Sequence, residues 1–235
     1  MIILIIGGIG GIGSGMIEEV QSRYLSAKIH ATYHKQQPNK QDEEISWHEV
    51  NICDESQVAV LSQKFEKLDM LINCVGLLHH NEQLPEKSIT QFNPEFFQAN
   101  ININLLPTLL LAKHFQNKLR QSGLSYFVTV SAKVGSISDN RLGGWMSYRC
   151  SKAALNMALK TLSIEWQRTA SNICVLSFHP GTTDTLLSKP FQARLPQGQL
   201  QTPAQTARYF FDLLPTLSTE DSGSFIDYAG NRLPW

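Results

Sequence analysis

Short apolar runs recur along the chain, separated by longer stretches in which apolar side chains return every three or four residues. The runs at 2–6, 29–33, 70–74, 126–130 and 173–178 are rich in β-branched and aliphatic residues, with a weaker one at 225–227. Each has the length of a buried strand. The stretches 14–26, 56–67, 94–121, 151–169 and 203–214 carry helical spacing with few breakers. Strands alternating with helices, and strands apolar on both faces, predict an α/β fold built on a doubly wound parallel sheet. No internal repeat or low-complexity linker divides the chain, so a single domain over residues 1–235 is expected. The rhythm breaks at 186–202, where Pro190, Pro196, Gly198 and several glutamines lack sustained periodicity. A long irregular segment of this kind suits a loop or short helical excursion forming a substrate wall.

Composition narrows the partners. With 235 residues and 42% hydrophobic content, one substantial core can be buried. The 20 basic and 20 acidic residues cancel without a long run of either sign, which leaves no electrostatic footprint for nucleic acid or an anionic membrane. Small molecules or further copies of the chain are the expected partners. Cys53, Cys74, Cys150 and Cys174 are far apart, and the seven histidines lack zinc-type spacing. Adjacent His79 and His80 diverge in direction, so no metal site is expected, and a reduced cytoplasmic protein fits best. The opening apolar run is too short to span a bilayer and lacks a basic leader; it reads as a strand.

Two features carry chemistry. Directly after the first strand comes Gly7-Gly8-Ile9-Gly10-Gly11-Ile12-Gly13, then a helix. Gly8, Gly10 and Gly13 fit G-x-G-x-x-G, while Gly7, Gly11 and Gly13 fit G-x-x-x-G-x-G; either register lets a pyrophosphate approach the backbone at a helix N-terminus. Cofactor choice is set at the end of the second strand, where an acid would hold a free ribose 2′-hydroxyl. That strand ends in Tyr33-His34-Lys35, and Asp42 comes too late, so NADP(H) is favoured over NAD(H), with His34 and Lys35 as phosphate contacts.

The second feature is Tyr148 and Lys152, four residues apart and therefore on one helix face. A charge ~4 to 5 Å from a phenol, at an effective dielectric of ~20, favours the phenolate by roughly 3 to 4 kcal/mol. Before desolvation, that lowers the tyrosine pKa by ~2 to 3 and readies it to exchange a proton. Tyr24 and Lys28 repeat the spacing at the end of the first predicted helix, where a solvated face is expected.

In this order the motifs resemble those of the short-chain dehydrogenase/reductase family, over essentially the whole chain. Gly7, Gly11 and Gly13 match its glycine turn, with Ile6 where Thr or Ser is usual; Gly10 and Ile12 lie within that turn. Asn73-Cys74-Val75-Gly76 matches N-x-A-G, which in the family stabilises the sheet beside the adenosine half. Asn51 and Ile52 stand in place of the Asp and hydrophobic residue that flank the adenine. Asn104 best matches the helix-borne asparagine that holds a relay water, with Asn100 and Asn102 as near repeats. Tyr148 and Lys152 match Y-x-x-x-K, and Pro180-Gly181-Thr182-Thr183-Asp184-Thr185 matches P-G-x-x-x-T, where the Thr183 backbone and Thr185 hydroxyl would hold the nicotinamide carboxamide. The strings Gly143-Gly144-Trp145-Met146-Ser147 and Leu233-Pro234-Trp235 resemble those of C-factor and sniffer-type carbonyl reductases.

The resemblance implies a Rossmann fold and hydride transfer between nicotinamide and a carbonyl or alcohol carbon. Tyr148 would be the general acid/base, with Lys152 binding the nicotinamide ribose and Asn104 linking it to solvent. It also implies a homodimer or homotetramer formed through two of the helices. One departure stands out: in Val130-Ser131-Ala132-Lys133-Val134-Gly135, strict register puts Ala132 where the family has its catalytic serine. Ser131 takes that role if the strand end shifts by one residue, with Ser136 and Ser138 as further stand-ins. The departure also supports a second reading, an NADP-binding sensor or signalling protein with little turnover. A third, a nucleotide-sugar epimerase or dehydratase, usually needs a longer C-terminal region than the one following Pro180.

Overall fold

In β1 (Ile2–Ile6), Ile3, Leu4, Ile5 and Ile6 are all wholly buried. Successive strand side chains point to opposite faces, so both faces of the sheet must be covered. The computed structural model describes residues 1–38, 43–80 and 83–235; Asp42, weighed above for the ribose hydroxyl, lies outside them. Along the chain follow α1 (Gly11–Arg23), β2 (Lys28–Tyr33), β3 (Ile45–Glu49), α2 (Glu55–Gln63), β4 (Met70–Asn73), α3 (Pro94–Asn104) and α4 (Leu106–Arg120). Then come β5 (Ser125–Val130), α5 (Met146–Thr169), β6 (Ile173–His179), β7 (Thr182–Thr183), β8 (Leu200–Gln201), α6 (Pro203–Leu213) and β9 (Ser224–Asp227).

Seven strands form one parallel sheet in the order β3-β2-β1-β4-β5-β6-β9, and β7 pairs with β8 separately. On one face Leu4, Leu71, Phe127 and Val175 pack with Val58, Phe115, Leu155 and Trp166 from α2, α4 and α5. On the other, Ile3, Ile5, Val128 and Leu176 pack with Met16 and Val20 of α1 and Phe210 and Phe211 of α6. The strand order reverses between β1 and β4, which opens a crevice beyond their C-terminal ends. Among the described residues, no helix is long and apolar enough to cross a membrane.

Four local features differ from the sequence expectation. β3 is absent from it because this edge strand is only half-buried and its polar residues hide the alternation. The predicted helix 94–121 breaks at Leu105 (φ −113°, ψ −54°). There Asn104 exchanges two hydrogen bonds with the Leu77 backbone, at 2.7 and 2.8 Å, and Pro107 has no N–H to continue the ladder. Tyr24 is the C-cap of α1 and Lys28 opens β2, so the second Tyr/Lys pair shares no helix face. Finally, α5 begins at Met146 rather than at 151.

Candidate active site

The glycine turn is shaped by backbone requirements. Gly7 has φ +78°, a region that disfavours side chains, and its N–H donates to Thr32 Oγ1 at 3.0 Å. Gly8 N–H donates to the Thr32 carbonyl at 2.9 Å, so the end of β2 holds the turn closed. A Cβ on Gly13 would lie 2.1 Å from the Gly7 carbonyl oxygen, and one on Gly11 2.6 Å from Thr185 Cγ2. α1 has no side-chain cap and no acid in its first turn. Its first-turn amides lack intrahelical partners and suit an anion.

The neighbouring strand ends complete a cradle. Buried Asn73 donates to Thr108 Oγ1 at 3.1 Å and accepts from Val75 N–H at 3.1 Å, fixing the turn after β4 against α4. Thr183 is held through Thr206 Oγ1 at 2.7 Å, and the Ser188 hydroxyl donates to the Thr183 carbonyl at 2.5 Å. Residues 182–188 thereby lie across the glycine turn.

A cavity of about 980 Å³ runs from this cradle to the start of α5. Gly10, Gly11, Ile12, Val75, Gly76, Pro180, Gly181, Thr183 and Thr185 line it at one end, and Ser131, Tyr148 and Lys152 reach it as well. From 186–202, Leu186, Leu187, Pro190, Phe191 and Leu195 supply an apolar wall, and the 3-10 turn Lys189–Arg194 gives the segment local order. Trp145 extends that wall, its ring 4.8 Å from Phe191 and 6.3 Å from Tyr148. No Asp or Glu is among the described lining residues. A dinucleotide suits this cavity in size, backbone access and charge.

Tyr148 and Lys152 sit side by side in the first turns of α5, with Lys152 Nζ 5.8 Å from the Tyr148 ring centre. They are only 7% and 2% exposed, and this reverses the electrostatic expectation. Burial raises the Tyr148 phenol well above its usual range and lowers Lys152 to about 8. Desolvation penalises both charged forms, and the lysine charge does not compensate for it. Burial therefore favours the neutral phenol over the phenolate. Lys152 Nζ is fixed by the Val130 carbonyl at 3.0 Å.

Of the three candidate asparagines, Asn104 approaches this pair. A Cβ on Gly76 would lie 3.4 Å from Asn104 Oδ1 and 3.7 Å from Lys152 Nζ, so both groups flank one small space. Asn104 also donates to Ser151 Oγ at 2.9 Å, tying the helix break to α5. Asn100 is buried beneath it, while Asn102 pairs with Gln98 on an exposed face.

Ser131 lines the cavity, but its hydroxyl donates to Asn156 Oδ1 at 2.7 Å, and Ser177 donates to the same oxygen at 2.8 Å. Asn156 Nδ2 is buried without a hydrogen-bond partner among the described residues. Ser136 accepts from Asp139 N–H, and Ser138 donates to the Trp235 carbonyl; neither lines the cavity. His34 and Lys35 are exposed immediately beyond β2. Asn51 spends its Oδ1 on Cys53 N–H at 3.1 Å, and Ile52 packs into the core; neither lines the cavity.

Two residues lining the cavity were not assigned to it from the sequence, His179 and Trp145. His179 lines the cavity with Nδ1 buried and without a hydrogen-bond partner among the described residues, and burial, opposed by Asp227 and aided by Lys133, lowers it to about 4. Its place directly before Pro180-Gly181 was the available signal. Trp145 stood in a string noted above, but its place in the wall arises from contact with Phe191, a distant segment.

A family model described as short chain dehydrogenase matches residues 1–195. A 1-hydroxy-2-glutathionyl-2-methyl-3-butene dehydrogenase of Rhodococcus sp. (strain AD45) is 31% identical over 181 residues, covering 77% of this chain and 74% of that protein. The C-signal of Myxococcus xanthus is 35% identical over 133 residues, 57% of this chain and 75% of that protein. Among solved structures, the carbonyl reductase Sniffer of D. melanogaster superposes with TM-score 0.86 at 22% identity, covering 99% of this chain and 98% of that one. NADPH-bound carbonyl reductase from chicken fatty liver gives 0.85 at 23% identity, covering 100% and 94%.

Proposed function

The chain belongs to the short-chain dehydrogenase family, and from that premise we propose that it is an NADP(H)-dependent oxidoreductase acting on a carbonyl or alcohol carbon, with Tyr148 as general acid/base. The observation that carries this reading is the buried Tyr148–Lys152 pair reaching the same cavity as the glycine turn. When bound, the dinucleotide supplies or accepts the hydride. The protein's residues handle the proton. In reduction, neutral Tyr148 gives its proton to the substrate oxygen, and the Lys152 charge stabilises the phenolate left behind. Val130 holds that lysine in place, and Asn104 beside it connects the pair to a proton source. The apolar wall of Leu186, Leu187 and Phe191 excludes water and favours a hydrophobic carbonyl compound. A panel of aldehydes, ketones and quinones assayed for NADPH oxidation tests the reading.

NADPH preference rests on His34 and Lys35 directly after β2, a stretch of sequence that offers no Asp or Glu at the strand end. We expect KM for NADPH to be at least ~10-fold below that for NADH, and Lys35→Glu to remove most of the difference. Equal KM values in the unaltered protein would rule out the preference.

Ser131 is proposed as the donor to the substrate oxygen, and Asn156 decides whether it has a proton to give. With Oδ1 toward the serines, the Ser131 proton is committed. With the amide turned over, Nδ2 faces both hydroxyl oxygens and frees their protons. We expect Ser131→Ala to lower kcat by ~10-fold, less than losing a dedicated oxyanion donor costs. Ala132→Ser should raise kcat by placing a hydroxyl in the family's register. The committed Ser131 proton also favours the second reading, a dinucleotide-binding signalling protein. Absence of turnover across the panel, with tight NADPH binding, would establish that reading instead.

A further inference from the structure

α5 is 24 residues long, yet its own sequence provides no start signal: Trp145, at the cap position, has φ 53° and no side-chain cap bond, and the first turn holds no acid. The cap is supplied from 61 residues earlier in the chain. Glu86 is 2% exposed, and its carboxylate accepts the Ser147 N–H at 3.1 Å and the Ser147 hydroxyl. Its carbonyl accepts the Trp145 N–H at 2.5 Å. A buried carboxylate is costly unless compensated, and the positive end of α5 compensates this one. Ser147 is itself wholly buried and directly precedes Tyr148. On the other side, Leu84, Pro85 and Lys87 line the cavity, so one residue joins the substrate wall to the proton donor.

We propose that Glu86 is the N-terminal cap of α5 and a positioning residue for Tyr148, holding the phenol at the angle the reaction needs. Its kinetic consequence rests on the reductase reading; its structural consequence does not. Glu86→Ala leaves Ser147 N–H and hydroxyl buried without their acceptor and lets the first turn shift. Glu86→Gln keeps an oxygen for the N–H, and its amide NH₂ can donate to the serine oxygen.

The test combines turnover, NADPH binding by fluorescence titration, and amide hydrogen exchange on the full chain. Glu86→Ala is expected to lower kcat by ~10- to 100-fold while the NADPH Kd stays within about twofold, because the glycine cradle is untouched. Glu86→Gln should recover kcat to within ~5-fold of the unaltered protein. Exchange at Ser147 and its neighbours should quicken by ~5-fold or more in Glu86→Ala, with α1 unaffected. Unaltered kcat in Glu86→Ala, or a loss of NADPH binding in step with kcat, overturns the positioning role. Unaltered exchange at Ser147 overturns the cap, even in a protein that reduces nothing in the panel. In that last case the reductase reading fails separately, and the exchange result alone decides the fate of the cap.

Discussion

Tyr148→Phe is expected to bind NADPH within about twofold of the unaltered protein and to reduce carbonyls at least ~10²-fold more slowly. The change removes one oxygen from a ring that is 7% exposed and leaves the packing against Trp145 in place. Nothing in the glycine cradle moves, so binding measured by fluorescence titration reports a part of the site the substitution does not touch. Single-turnover oxidation of pre-bound NADPH reports the chemistry. The pH dependence gives a second check on the same pair. Reduction requires Tyr148 protonated and Lys152 charged. Burial secures the first condition across the neutral range, because it raises the phenol pKa. The second holds only below about 8, where buried Lys152 still carries its proton. The rate in the unaltered protein should therefore fall as pH rises through about 8, and residual turnover in Tyr148→Phe should lose that dependence. A kcat in the variant equal to that of the unaltered protein would sink the proposed mechanism.

The strands and the glycine turn were legible because their signals are local. A run such as Ile3 to Ile6 states its own burial, and Gly7 to Gly13 states a turn before a helix. The Tyr148–Lys152 spacing likewise placed two groups on one face. It could not convey the depth of burial, and depth reversed the expected direction of the tyrosine pKa. Half-buried β3 was illegible because an edge strand shows no clean alternation. The break at Leu105 follows from Asn104 reaching Leu77, and the start of α5 from Glu86 reaching Ser147. Both are contacts between segments that no window of sequence contains. The serine question had the same origin. Register raised it, but the rotor that governs it, Asn156, lies 25 residues beyond Ser131 and touches it only in the fold.

Gly13→Ala should cost both stability and the dinucleotide. Its Cβ would fall 2.1 Å from the Gly7 carbonyl oxygen, 2.9 Å from the Gly7 carbonyl carbon and 3.0 Å from Gly8 Cα. These are backbone atoms, and they cannot swing aside as a side-chain tip would. Gly7 is itself held by its left-handed φ of +78° and by the bond to Thr32, so the turn relieves the overlap only by opening. Overpacking of this kind costs ~1 to 3 kcal/mol, which for a chain of this size lowers Tm by roughly 3 to 10 °C. An opened turn also withdraws the first-turn amides of α1 from the pyrophosphate. We expect the NADPH Kd to rise by ~100-fold or more. Gly123→Ala is the matched control, since a Cβ there meets nothing within 4 Å. It should leave Tm and Kd where they are. If Gly13→Ala melts lower yet binds NADPH as the unaltered protein does, the turn is structural and the dinucleotide lies elsewhere. A Tyr148→Phe variant that still fails to turn over would then identify the proton donor without identifying the cradle.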